Sequence, residues 1–398
     1  MSTNDDTSVS TREARSTRDA GDERDLRDTL PPPVSVWAPP SAASVALTER
    51  PALVFPGQGS QFVGMGRDIY ESSAAGRAIF DQADDLLRFS LSGLCFDGPG
   101  DELDDTYNAQ PAILTVSVAG LEALRERLAA MGRHLEPLYV AGHSLGEYAA
   151  LVAANVLDFP DALQVVRERG RIMKEASERR PGGMAAIMGL DLTTLERVVT
   201  KAREAGEVVL ATLNAPAQMV ISGEFVALQH AVELAKAEGA RRASMLRISI
   251  ASHSPLMKGA SQGLSEALSH VPLRDPMVPI VANVGGQVLR TAEEIRHELV
   301  QNIVKPVNWT RSVREMIEGG GRTFVEVGPG KVLSGLIRRI GDDVKTVNVQ
   351  EFIAEHLPLP GAPVQDDGEP RVGAAERGRG LRDGGAETAD RGAAGAGA

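Results

Sequence analysis

The stretch that most restricts the fold is Gly142-His143-Ser144-Leu145-Gly146. An apolar run at 138–141 feeds it, and a helix-forming run at 147–154 follows. The pattern G-x-S-x-G in that setting predicts a strand, a sharp turn and a helix, with the serine at the apex. Glycines on both flanks let strand and helix pack closely without Cβ clashes. The hydroxyl then stands above the end of a sheet. The N-terminus of the following helix aims backbone N–H groups at any oxyanion that forms there. The same pattern also arises by chance in glycine-rich turns; the strand and helix on either side are what favour a nucleophile.

Such an elbow needs a buried sheet beneath it. With 398 residues, 42% of them hydrophobic, the chain can build one large domain or two ordinary ones. Aromatic residues are only 4%, the net charge is −12, and no dense Lys/Arg block occurs. These argue against a nucleic-acid partner. A single cysteine, Cys95, excludes an intramolecular disulfide framework and fits a reducing, cytoplasmic setting. No run approaches 18 consecutive apolar residues, so no membrane span is expected. The N-terminus also lacks the basic-then-apolar order of a secretory signal.

Residues 1–49 are Ser/Thr/Asp/Arg-rich and then proline-rich, and 353–398 are Gly/Ala/Arg/Asp-rich; both ends are expected to be disordered. Between them the pattern is α/β. Strands are expected at 52–55, 138–141, 278–282 and 323–327. Helices are expected at 72–88, 111–130, 160–177, 254–269, 292–302, 309–319 and 332–340, with Pro111 in a first helical turn. This alternation implies a mainly parallel sheet covered on both faces, built from 50–182 and 251–352. The texture changes over 183–250. Strands at 184–188, 207–212, 219–222 and 244–250 and helices at 191–204 and 224–238 give the order β-α-β-β-α-β, a ferredoxin-like lobe inserted into the larger part.

A serine nucleophile needs a base. Of seven histidines, His134, His230, His270, His297 and His356 lie in polar loops, on charged helices or near tails. His143 neighbours the serine, but adjacent strand side chains point to opposite faces. His253, in Ile250-Ala251-Ser252-His253-Ser254-Pro255, lies where a strand run ends and a helix begins, the place where α/β folds build sites. It is either the base or a helix-start residue with a structural hydrogen bond. Gln58, in Pro56-Gly57-Gln58-Gly59-Ser60-Gln61, and the Leu145 amide are candidate oxyanion donors; the alternative for that loop is a plain tight turn. No Asp or Glu stands out as a triad acid. Glu147 follows the elbow too closely to reach a distant imidazole, and a backbone carbonyl can orient the ring instead. Arg169 is either a pocket guanidinium for a substrate carboxylate or, with Arg167 and Arg171, part of a solvated face. No metal-ligand spacing, P-loop or dinucleotide fingerprint occurs.

Five segments occur in order: Phe55-Pro56-Gly57-Gln58-Gly59-Ser60-Gln61, Gly142-His143-Ser144-Leu145-Gly146-Glu147, Arg169-Gly170-Arg171, Ser252-His253 and Val327-Gly328-Pro329-Gly330. Together they resemble the malonyl-CoA:acyl carrier protein transacylases and the acyltransferase domains of fatty acid and polyketide synthases, over about residues 51–350. The resemblance implies an α/β-hydrolase-like large part with an inserted ferredoxin-like lobe. It implies Ser144 as nucleophile, His253 as base, Gln58 and Leu145 at the oxyanion, and Arg169 on the malonyl carboxylate. It further implies Asn214 in the acyl pocket, Arg242 near the coenzyme A phosphates, and the backbone carbonyl of Asn308 orienting the histidine. The expected partners are malonyl-CoA and an acyl carrier protein, with no cofactor, no nucleic acid and no membrane, in a monomeric cytoplasmic enzyme. Arg241, Arg242, Arg247, Arg338 and Arg339 are the expected basic patch for the carrier protein. Leu145 resembles malonyl-selective members. The tetrapeptide at 250–253 matches neither of the two used to sort malonyl from methylmalonyl enzymes, so tolerance of an α-substituent stays open. An editing thioesterase and a catalytically silent docking subunit are the rival readings.

Overall fold

The computed structural model describes residues 50–356. Its ten strands are β1 (Ala52–Phe55), β2 (Tyr139–Gly142), β3 (Gly183–Met188), β4 (Val208–Ala215), β5 (Gln218–Gly223), β6 (Arg242–Met245), β7 (Ile280–Val281), β8 (Val288–Leu289), β9 (Thr323–Glu326) and β10 (Lys345–Asn348). They form two sheets. The larger has the order β10-β9-β1-β2-β7-β8 and is parallel except for the β7–β8 pair. The smaller is antiparallel throughout, in the order β4-β5-β3-β6.

All four residues of β1 are buried, as expected of a strand with helices on both faces. The helix Thr106–Ala130 has no polar stripe, because other helices surround it. It begins earlier than 111, so Pro111 lies inside it. A proline there removes the N–H that would pair with the carbonyl four residues back. That carbonyl belongs to Tyr107, and Arg167 Nη1 donates to it at 2.7 Å. An arginine from the neighbouring helix Phe159–Arg179 thus satisfies the group that the proline leaves open.

The segment 183–245 follows the expected β-α-β-β-α-β order, but its last strand stops at Met245 rather than continuing to 250. It is joined to the large sheet's side of the molecule by backbone. Leu213 N–H donates to Val307 O, and Val307 N–H donates to Ala211 O. The expected unstructured ends lie outside the described residues with one exception: 353–356 belong to a helix, Val349–His356, that the sequence reading missed together with β8 and β10.

Candidate active site

The elbow is built as the glycines require. A Cβ on Gly142 would fall 1.9 Å from Gly146 C, and one on Gly146 would fall 2.1 Å from Phe55 O. Strand β2, the loop after β1 and the helix Gly146–Ala153 therefore touch backbone to backbone. Ser144 sits at the apex with φ 52°, in the left-handed region that a non-glycine residue occupies at a cost. Its own N–H donates to Asn283 Oδ1 at 2.7 Å, and Asn283 Nδ2 donates to Gly142 O at 2.6 Å. One asparagine side chain thus holds both sides of the turn.

His253 Nε2 lies 2.8 Å from Ser144 Oγ. Its Nδ1 lies 2.6 Å from Asn302 O, which can only accept. Nδ1 therefore carries the proton, and Nε2 is the lone-pair nitrogen that accepts from the serine hydroxyl. Burial, and next the positive charge of Arg169, push the imidazole down to about 3, so it is neutral and ready to take a proton. The expectation that Asn308 orients the ring is corrected. Asn302 ends the helix Ala292–Asn302, where carbonyls lack intrahelical donors and the dipole is negative. Asn308 instead starts the next helix, Trp309–Glu318: its side chain accepts from Arg311 N–H, and its own N–H donates to Asn283 O.

Both dyad residues line a cavity of about 300 Å³, together with Gln58, Leu145, Arg169 and Asn214. Its apolar wall includes Met173, Met184, Val220, Leu246, Ile248 and Leu336. The backbone N–H groups of Gln58 and Leu145 meet no acceptor among the described residues, so both remain available to an oxyanion. Asn214 Oδ1 is 2.8 Å from His143 Nε2, so His143 reaches the same cavity although its neighbour is the nucleophile. Arg242 stands exposed on β6 and does not line the cavity.

Arg169 is 3% exposed. It lies in line with Ala162, Val166 and Met173 on the buried side of its helix, whereas Arg171 faces outward and pairs with Glu168 and Glu175. No carboxylate of the chain pairs with Arg169 among the described residues; its Nη1 donates to Gln110 Oε1 at 2.7 Å. Gln110 Nε2 in turn donates to Thr106 Oγ1 at 3.1 Å, and Thr106 Oγ1 donates to Gln58 Oε1 at 2.9 Å. A guanidinium can only donate, so it fixes the direction of every bond in this chain. Gln58 is left presenting its amide nitrogen, not its oxygen, to whatever else it meets. Sequence reading missed Thr106, Gln110, Asn283 and Asn302; only their neighbours in space give them a role.

A buried cation beside a neutral imidazole and a strained serine suits covalent acyl transfer with selection of an acidic acyl group. Among the described residues no cluster of three or more His, Cys, Asp or Glu is placed to hold a metal. Nor is any helix long and apolar enough to cross a membrane.

Known proteins resemble the chain over the same region. The acyl transferase domain pattern matches residues 52–357. A malonyl CoA-acyl carrier protein transacylase of Bacillus subtilis is 46% identical over 301 residues, covering 75% of this chain and 93% of that protein. The Escherichia coli K12 protein of the same name is 41% identical over 300 residues, covering 75% and 96%. A solved malonyl-transacylase in complex with its type II PKS acyl-carrier protein superposes with a TM-score of 0.73 at 38% identity, covering 78% of this chain and 99% of that one.

Proposed function

The chain belongs to the acyl transferase domain family, with the malonyl CoA-acyl carrier protein transacylases, and we propose that it moves a malonyl group from malonyl-CoA to the phosphopantetheine thiol of an acyl carrier protein through an ester on Ser144. The observation that carries this reading is the buried Arg169, in ion-pair contact with no carboxylate among the described residues, in the same cavity as the Ser144–His253 pair.

The malonyl carboxylate pairs with the Arg169 guanidinium, which keeps its bond to Gln110. His253 Nε2 takes the Ser144 proton as Oγ attacks the thioester carbon. The Gln58 and Leu145 amides take the oxyanion. The imidazolium is steadied by the Asn302 carbonyl, and it returns the proton to the departing coenzyme A sulfur. The carrier-protein thiol then gives its proton to His253 and attacks the malonyl ester, restoring Ser144. Each half-reaction uses the same base, which is ping-pong chemistry. Fixing both ends of the malonyl group leaves an incoming water poorly placed, which favours transfer over hydrolysis.

We read 183–250 as a ferredoxin-like lobe inserted between 50–182 and 251–352, an α/β-hydrolase-like part. The β-α-β-β-α-β order and the parallel sheet under the elbow support it. Every group in the scheme comes from one chain, consistent with a monomer, and the one thiol, Cys95, is buried and free, as suits the cytoplasm. No step draws on a cofactor. Arg242 is placed by this reading at the coenzyme A phosphates, and the exposed Arg241, Arg242, Arg247, Arg338 and Arg339 are the proposed carrier-protein patch.

The test is intact-mass measurement after mixing with malonyl-CoA, then with holo carrier protein. A malonyl increment on Ser144 that moves to the carrier protein is expected. Free malonate without carrier loading would make the chain a thioesterase, and no increment would make it a silent subunit. Competition among malonyl-, methylmalonyl- and acetyl-CoA then reads the tolerance of the pocket wall.

A further inference from the structure

We infer that Glu147 is a positioning residue that ties the nucleophile and the base to one another from beneath the elbow, acting through Asn283 and Asn302. The inference rests on the reading of Ser144 and His253 as the dyad.

Glu147 lies in the first turn of the helix Gly146–Ala153, is 2% exposed, and does not line the substrate cavity. Its two carboxyl oxygens serve two different asparagines. Asn302 Nδ2 donates to Oε2 at 2.8 Å, and Asn283 N–H donates to Oε1 at 3.1 Å. Each asparagine uses one group on Glu147 and a different group on the dyad. Asn302 gives its side chain to Glu147 and its backbone carbonyl to His253 Nδ1. Asn283 gives its backbone N–H to Glu147 and its side-chain oxygen to the Ser144 N–H. From one carboxyl group, two bonds lead to the imidazole and two lead to the serine backbone.

This arrangement answers a geometric problem. Ser144 and His253 come from segments 109 residues apart, and both hold left-handed backbone angles. Nothing local fixes the distance between them. Glu147 stands three residues after the nucleophile, in the first turn of the helix that leaves the elbow, so its reach to Asn302 sets where the carbonyl beneath His253 must lie. Glu298, 4% exposed, completes the seat: its Oε1 accepts from the Asn283 and Val284 N–H groups. A carboxyl buried in this way persists only when its oxygens are satisfied, and here they are. Burial and the facing Glu298 hold Glu147 well above the usual carboxylate range. Both of its oxygens accept from N–H donors, so glutamine, of the same shape, keeps one acceptor and sets its NH2 against the other donor.

The experiment measures inactivation of the full chain by phenylmethylsulfonyl fluoride, an uncharged reagent that needs Ser144 and His253 but has no use for Arg169. The site is confirmed by mass. The Glu147→Ala variant is expected to react about 100-fold more slowly, the cost of a misplacement on the order of 1 Å. Glu147→Gln, which keeps one of the two ties, is expected to react at a rate between those of Glu147→Ala and the wild type. In malonyl transfer, Glu147→Ala is expected to lower kcat far more than it changes KM for malonyl-CoA, because Glu147 does not line the acyl pocket and acts on Arg169 only through its charge. If Glu147→Ala does not fold, Asn302→Ala serves instead, since it cuts the same tie but leaves the carbonyl on His253. A labelled wild type alongside an equally reactive Glu147→Ala, or Asn302→Ala where that stands in, overturns this inference alone. A wild type that takes no label at Ser144 removes the dyad reading, and the inference with it.

Discussion

Ser144 Oγ and His253 Nε2 are 2.8 Å apart, and each residue is held at a positive φ, 52° and 60°. Two strained residues facing each other are stable only where the surroundings over-determine them. Asn283 does this for the serine, and the Ile303 carbonyl, which accepts from the His253 N–H, for the histidine. Substituting either dyad residue with alanine should remove the acyl-enzyme, seen as loss of the malonyl mass increment on mixing with malonyl-CoA. The unfolding midpoint should be little changed, because the fold does not depend on the reacting atoms.

Arg169 sets the choice of acyl group. Arg169→Ala should lose malonyl transfer by orders of magnitude while acetyl transfer holds or rises, because an acetyl group has no carboxylate to leave unpaired in the pocket. Arg169→Lys should not restore malonyl transfer. An ammonium is a point charge without the planar fork that serves Gln110 and a carboxylate together. Parallel kcat/KM measurements with the two acyl-CoAs decide the matter; equal losses for both would remove the pocket role.

The pH dependence follows from His253. Its pKa is lowered from 6.5 to about 3, first by burial and next by Arg169. A lowered pKa keeps the base neutral in the free enzyme across the range where an ordinary histidine protonates. Inactivation by phenylmethylsulfonyl fluoride should therefore hold its rate as the pH falls through 6.5. Removing Arg169 removes a positive charge that opposes the imidazolium, so the acid limb of Arg169→Ala should move to higher pH. The same lowered pKa means that the unfolded chain binds the proton more readily, so the stability that neutral His253 supports is intact above 6.5 and is lost as the pH falls toward 3. A limb already centred near 6.5 in the wild type would contradict the buried, neutral base.

The elbow was legible in the sequence because its constraints are local: two glycines, a strand before and a helix after. The order of strands and helices was legible for the same reason, since burial on one face leaves a period in the residues and burial on both leaves a short apolar run. What failed to show was long-range. A backbone carbonyl has no residue type, so nothing in Asn302 or Asn308 says which one meets His253. Glu147 sits too near Ser144 to reach a distant imidazole directly, and its indirect route through Asn302 exists only in three dimensions. Pro111 looked like a helix start because the residue that excuses it, Arg167, comes from another helix. Arg169 was half legible: the 162, 166, 169, 173 spacing marks the buried stripe, but its flanking arginines suggest a solvated face.

Thr106 offers a test of how the acid pocket and the oxyanion site are joined. Its hydroxyl is the one group between Gln110, which Arg169 orients, and Gln58, whose loop supplies an oxyanion donor. Valine has the same shape but neither donates nor accepts, so Thr106→Val frees the Gln58 amide to turn its oxygen toward the reacting carbonyl. A free Gln58 also lets its backbone N–H drift from the position where charge develops. The expected result is a fall in kcat of about tenfold to a hundredfold, less than the loss of a whole oxyanion donor. Thr106→Ser keeps the hydroxyl and should stay close to wild type. Because the oxyanion forms with any acyl group, Thr106→Val should slow acetyl transfer as well as malonyl transfer, unlike Arg169→Ala. A Thr106→Val enzyme that loses malonyl transfer alone would instead place Thr106 in carboxylate recognition, and steady-state comparison of the two acyl-CoAs separates these outcomes.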